Sequence, residues 1–189
     1  MKVLAVFDDR NYDSQWTRTE RSAMRAVIVK NGKIALVKNR REGYYKFPGG
    51  GTENGETRIQ TLCRETFEEA GLKIKPGSVR EIGMIHEIRR SVFEENEIFD
   101  QKSYYYYADV EGPPDSVCPD GYEAEPGTML EWVDIKTAYE TNVELGNRYE
   151  TKFILREAFI LGTLLGVPQS SGQTRGEAPG VPAGKGARI

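Results

Sequence analysis

Apolar and polar positions separate most clearly between Ala26 and Lys38, AVIVKNGKIALVK, two β-branched runs joined by Asn31-Gly32. Asn-Gly tolerates positive φ, so it suits the two-residue turn of a hairpin. Both runs are apolar almost without interruption, which predicts strands covered on two faces. Upstream, Lys2–Phe7 predicts a first strand, and the polar stretch from Asp8 to Ser22 predicts a loop. Asp8, Asp9 and Asp13 in that loop read as turn chemistry, with a metal site as the alternative. Downstream, strands are predicted around Tyr44–Phe47, over Ser78–Ile88 (a long one), over Gln101–Val110 and over Met129–Ile135. In the third, alternation puts Tyr104 and Tyr106 on one face and Tyr105 and Tyr107 on the other. One pair is expected in the core and the other on the surface, an aromatic platform for a base being the alternative. Helices are predicted over Lys136–Thr141 and Tyr149–Leu165, the latter with Phe153, Ile154, Ala158, Leu161 and Leu165 on its apolar side.

Between the strand at Phe47 and the one at Ser78 the period changes. FPGGGTENGETRIQTLCRETFEEAGL, from Phe47 to Leu72, is a glycine loop followed by a helix. Thr57 and Gln60 have capping-box spacing, and Gly71 stands where a left-handed residue stops a helix. Ile59, Cys63, Thr66, Phe67 and Ala70 fall within an arc of about 100°, predicting the buried face. Glu65, Glu68 and Glu69 fill an arc about opposite, and such like-charged neighbours cost about a few tenths of a kcal/mol per pair. Among basic residues, Arg64 is well placed to offset that cost. A hard divalent cation would convert the repulsion into oxygen ligation; taken alone, the same helix reads first as a solvated acidic face.

Composition narrows the field. The chain has 189 residues, 38% hydrophobic and 29% charged, as expected of one globular domain with some extra. A net charge of -3 and a pI near 5.4 argue against nonspecific nucleic-acid or anionic-membrane binding. Cys63 and Cys118 fit no zinc spacing, and Cys63 reads as a small core residue. The start, MKVLAVFDDR, has too short an apolar run for a signal peptide, and no segment approaches membrane-spanning length. A cytoplasmic protein is expected. Beyond Val167 the composition turns to Gly, Pro and Ser, predicting a disordered tail over 168–189.

Read as spacing, the central stretch is Gly50, five residues, Glu56, seven residues, then RETFEEAGL. It resembles the Nudix box at Gly50, Glu56, Arg64, Glu65, Glu68, Glu69, Gly71 and Leu72. Thr66 departs from the pattern, which usually carries an aliphatic residue there, and Thr61 and Leu62 stand where alanines are frequent. The resemblance implies an α/β (α+β) fold, a mixed sheet sandwiched between helices. It runs from about Arg21 to Leu165, which divides the chain into an N-terminal extension with an extra strand (1–20), the domain (21–167) and the tail.

The resemblance further implies a hydrolase that cleaves the phosphoanhydride of a nucleoside diphosphate derivative, with water attacking phosphorus. It implies Mg²⁺ or Mn²⁺ held by Glu65, Glu68 and Glu69, with Gly49 of the loop also at the metal. Arg64 would orient the carboxylates, and Glu56 would steady the loop or hold an outer-shell water. The general base is a box glutamate, Glu69 first, or one of the loop acids Glu94, Glu95, Glu97, Glu123 and Glu125; His86 reads as structural. Arg40, Arg41 and Phe47, with Gly49 and Gly50, are the expected substrate contacts, the alternatives being a soluble turn for the two arginines and a core position for Phe47; Arg89 and Arg90 sit at a strand end that serves similarly. The expected partner is a small nucleotide, with no membrane, nucleic acid disfavoured and a homodimer left open. Two other readings stand beside this one: a catalytically silent nucleotide sensor, and a pyrophosphohydrolase acting on the 5′ end of RNA.

Overall fold

A computed structural model describes residues 1–112 and 127–168. Cys118, Glu123, Glu125 and the tail from residue 169 onward lie outside the described residues. Among the described residues the chain forms β1 (Val3–Asp8), β2 (Thr17–Val27), β3 (Val29–Lys30), β4 (Lys33–Asn39) and β5 (Tyr45–Lys46). After these come α1 (Arg58–Ala70), β6 (Arg80–Arg90), β7 (Glu97–Tyr107), β8 (Thr128–Asp134), α2 (Ile135–Arg148) and α3 (Lys152–Leu164).

The strands make two sheets. The first is mixed, in the order β1-β6-β7-β2, with β1 parallel to β6 and β2 parallel to β7. In the second, β4 pairs antiparallel with β8 along one edge and with β3 and β5 at the two ends of the other. The Asn31-Gly32 turn joins β3 to β4 with φ of 51° and 76°, the left-handed pair that the hairpin requires.

Two apolar clusters place the mixed sheet between helices. On one face Met24, Ala26, Tyr104 and Tyr106 pack with Leu62 and Ala70 of α1. On the other Val27, Ile85 and Tyr105 pack with Ala138 of α2 and Ile160 and Leu161 of α3. Both faces of the tyrosine run are therefore core, and only Tyr107 reaches solvent. No aromatic platform for a base is left there.

Two expectations change. The segment Thr17–Ser22, read as loop, is the first half of β2. Its register runs unbroken from Thr17↔Glu97 to Val27↔Tyr107. Its polar side chains close cross-strand pairs, Thr19 with Glu97 and Arg18 with Asp100, so strand pairing is satisfied without apolar alternation. The second change concerns α1. Its buried residues are Thr61, Leu62, Thr66 and Ala70, while Ile59 and Phe67 are 42% and 50% exposed. The seat of the helix is rotated by roughly one residue's worth, about 100°, from the predicted arc. That rotation turns Glu65 and Glu69 inward and leaves Glu68 outward.

Candidate active site

The helix that carries the glutamates is fixed at both ends. Thr57 Oγ1 accepts the Gln60 N–H, and the Gln60 side chain accepts the Thr57 N–H, closing the capping box. Gly71 adopts φ 64° and its N–H returns to the Phe67 carbonyl. These contacts satisfy orphan groups that otherwise fray a helix end.

The loop before the helix is stitched to β2 by backbone bonds. Met24 N–H donates to the Gly50 carbonyl at 2.9 Å, Ala26 N–H to Pro48 at 2.9 Å, and Thr52 N–H to Ser22 at 3.2 Å. Arg25, on the same strand, donates from Nη1 to the carbonyls of Phe47 and Gly49. The Gly49 position requires glycine, and Gly50 leaves room for a carboxylate. At Gly49, φ is 133° and a Cβ would lie 2.0 Å from the Met24 carbonyl oxygen. At Gly50 a Cβ would lie 2.0 Å from Glu65 Oε2.

Loop and helix meet through carboxylates. Glu69 Oε2 accepts the Gly49 N–H at 3.0 Å. Burial pushes the Glu69 carboxyl up, Arg25, Lys46 and the Gly49 amide pull it down, and the Glu65 charge adds to the upward shift. Arg64 binds the rest. It donates from Nε and Nη2 to the two oxygens of Glu56 at 2.7 and 2.8 Å, a bidentate fork. Its Nη1 reaches Glu65 Oε1 at 2.9 Å and Glu68 Oε2 at 3.0 Å, and Nη2 also reaches the Gly51 carbonyl at 3.1 Å. Hydrogen bonds from Arg64 hold the Glu56 carboxyl down to about 2.

Among the described residues, no three His, Cys, Asp or Glu groups converge as a metal site. Arg64 draws Glu65 and Glu68 to itself, while Glu69 turns to Gly49. The donor set nevertheless suits a hard divalent cation. All three groups are carboxylates on one helix flank, one fills the space that a Gly50 side chain would take, and another is buried beside a like charge.

A family model for the NUDIX domain matches residues 19–153, well over half of the 189 residues. The chain belongs to the NUDIX family. Curated relatives include the RNA pyrophosphohydrolase of Baumannia cicadellinicola subsp. Homalodisca coagulata, 40% identical over 45 residues, 24% of this chain and 28% of the relative. Another is the 8-oxo-dGTP diphosphatase of Buchnera aphidicola subsp. Schizaphis graminum (strain Sg), 40% identical over 52 residues, 25% of this chain and 40% of the relative. The matched stretch thus spans well under half the length of either. Among solved structures, the MutT protein from Bacillus halodurans is similar at a TM-score of 0.51 and 24% identity, over 64% of this chain and 72% of that one. At that identity the likeness concerns the NUDIX fold.

Within this fold the expected substrate contacts separate. Phe47 is 0% exposed, with its ring edge-on to Tyr105 at 5.5 Å, so it is core and cannot stack on a substrate. Arg40 and Arg41 are exposed in the turn between β4 and β5, where the Arg41 N–H donates to Asn39 Oδ1. Gly49 and Gly50 lie at the carboxylates as described. His86 on β6 lies 2.6 Å from Asp100 Oδ1 by its Nε2. Glu94, Glu95, Arg89 and Arg90 line a separate cavity of about 760 Å³ at the β6–β7 turn, whose lining includes no residue of the glycine loop or α1. No helix among the described residues is long and apolar enough to cross a membrane.

Four polar residues escape the hydropathy pattern: Arg25, Asn142 and the adjacent Arg156 and Glu157. Asn142, Arg156 and Glu157 are 0%, 4% and 1% exposed. Arg25 in the apolar run MRAVI and Arg156-Glu157 inside FILREAFIL are the available signals, since charge in such runs requires a buried partner.

Proposed function

We propose that the chain is a metal-dependent pyrophosphohydrolase that cleaves the phosphoanhydride of a nucleoside diphosphate derivative by water attack at phosphorus. The observation that carries this reading is the junction of the NUDIX box, where Glu69 accepts the Gly49 N–H and Glu65 occupies the space beside Gly50. The names of both curated relatives, a pyrophosphohydrolase and a diphosphatase, specify hydrolysis of a diphosphate.

In this proposal Glu65, Glu68 and Glu69 hold Mg²⁺ or Mn²⁺, with the backbone of Gly49 beside them. The bound ion neutralises phosphate oxygens and lowers the pKa of its water. Arg64 orients Glu65 and Glu68, and Glu56 keeps Arg64 in place. Glu69 is also the first candidate to take the proton of the attacking water, a role that one oxygen cannot combine with ligation. The domain extends over 21–167, in the cytoplasm, and requires neither the tail nor a membrane.

The test is product release from ADP-ribose, dinucleoside polyphosphates, NADH, (deoxy)nucleoside triphosphates with their oxidised forms, and capped RNA, with and without Mg²⁺ or Mn²⁺. Glu68→Gln and Glu69→Gln are each expected to lower turnover by about 100-fold or more with the fold retained. Unchanged turnover in both removes the metal-site assignment. Binding without product from any substrate leaves a nucleotide sensor instead.

A further inference from the structure

We infer that Asn142 and Glu157, on helices far along the chain, are positioning residues for the glycine loop: with Arg25 they replace a missing neighbour strand for β5. The strand β5 is two residues long and, among the described residues, pairs with a strand on one edge only, through Val37↔Lys46 and Lys38↔Tyr45. Next to it the Asn39 N–H donates to the Tyr44 carbonyl at 2.9 Å. An antiparallel strand alternates its backbone groups between its two sides, so those of Tyr45 and Phe47 face away from β4.

Side chains take all four outward groups. Asn142 Oδ1 accepts the Tyr45 N–H at 2.9 Å, and Asn142 Nδ2 donates to the Tyr45 carbonyl at 2.8 Å. Glu157 Oε2 accepts the Phe47 N–H at 3.2 Å, and Arg25 Nη1 donates to the Phe47 carbonyl at 3.3 Å. The contacts thus repeat at two-residue spacing, as a strand ladder does. A side-chain amide offers the same donor and acceptor as a peptide, and this lets Asn142 stand in for a strand residue.

The location gives the ladder its consequence. Pro48 has no N–H, so Phe47 carries the last backbone donor before Gly49. From there the chain enters the turn that sets Gly49 against Glu69 and Gly50 against Glu65. Glu157 is itself fixed by Arg156, whose Nη2 donates to Glu157 Oε1 at 2.7 Å and whose Nη1 donates to Glu87 Oε2 at 3.1 Å. Helices α2 and α3 therefore set the height and direction at which the loop approaches the box carboxylates. The part of this inference that concerns metal rests on the hydrolase reading; the part that concerns the loop does not.

Two double variants of the full chain isolate the acceptor. Arg156→Met with Glu157→Met removes it without leaving a buried unpaired charge, and Glu87 keeps Arg89. Arg156→Met with Glu157→Gln removes the charges but retains a carbonyl acceptor for Phe47. Amide hydrogen exchange on metal-free protein, calorimetric binding of Mn²⁺ alone and the Mn²⁺ half-saturation of hydrolysis are read together with melting temperature. The Met/Met variant is expected to exchange faster at Phe47 and Gly49–Gly51 but not in β6 and β7, and to need about 10–100-fold more Mn²⁺. The Met/Gln variant is expected to return toward wild type in both. Equal behaviour of the two variants, or a lower melting temperature with unchanged loop exchange, overturns the inference. If neither double variant folds, Asn142→Asp decides: it keeps the acceptor and loses the donor, and faster exchange confined to Tyr45–Gly51 supports the ladder, whereas uniform loosening refutes it. Wild-type protein that binds no Mn²⁺ removes the hydrolase reading, while the exchange data still decide this one.

Discussion

Two clusters of charge lie on opposite sides of the mixed sheet, and they are built on different terms. Around α3, Glu87 and Glu157 are matched by Arg156 and Arg89, and Glu87, Arg156 and Glu157 are all within 4% of full burial. Around α1 the single guanidinium of Arg64 is shared by Glu56, Glu65 and Glu68. The side chain of Glu68 is 56% exposed and that of Glu65 17%. The first cluster is neutral, as burial of Glu87, Arg156 and Glu157 in a low-dielectric core demands. The second is under-neutralised and open on one side, the condition in which a cation from solution has something to gain. Charge alone does not separate Arg156-Glu157 on α3 from Arg64-Glu65 on α1; the difference lies in what each helix packs against.

The contrast can be broken most forcefully from the α3 side. Arg156→Met alone leaves Glu157 without its cation in the core and is expected to cost about 3–5 kcal/mol, read by denaturant unfolding. Arg64→Met is expected to do the reverse, with a much smaller change in melting temperature and a loss of at least about tenfold in turnover. A larger stability loss from Arg64→Met than from Arg156→Met would erase the distinction.

The two glycines sharpen the same division within one loop. Gly49→Ala forces a side chain into φ 133° and against the Met24 backbone, so it is expected to destabilise by at least about 1–3 kcal/mol. Gly50→Ala meets the mobile end of Glu65, so its effect should appear in metal dependence before stability. The smallest effect concerns acid. Arg64 holds Glu56 at about 2 in the fold, below its ordinary 4.5. The unfolded chain therefore takes up that proton first, and the stability from this pair, fully present above about 4.5, is lost as pH falls toward about 2. Glu56→Gln should flatten that part of the pH–melting curve.

The box was legible because its signals are local. The Thr57–Gln60 capping box, Gly71 and the glutamate spacing depend on residues within a few turns of one another. The face on which α1 sits was not, since hydropathy cannot distinguish a carboxylate facing a glycine loop from one facing water. Ile59 and Phe67 looked buried and are exposed, whereas Thr61 and Leu62, outside the predicted arc, are fully buried. The first half of β2 was hidden for a related reason, because its partners are polar and reside some eighty positions away, as with Arg18 and Asp100, 82 residues apart. Phe47 misled in the opposite sense: an aromatic beside a glycine loop suggests stacking, and here it fills the core.

The contacts of β5 also bear on the order in which the molecule is assembled. Asn142 and Glu157 reach it across 97 and 110 positions of chain. The β3–β4 hairpin and α1 need only neighbours and can form early, whereas contacts at such separation pay a loop-closure entropy that local ones do not. A chain emerging from synthesis therefore carries every residue of the box, and the β2 partners of its loop, long before Asn142 and Glu157 are made. Helices α2 and α3 act as a completion signal: the outward groups of Tyr45 and the N–H of Phe47 find their partners only once both have docked.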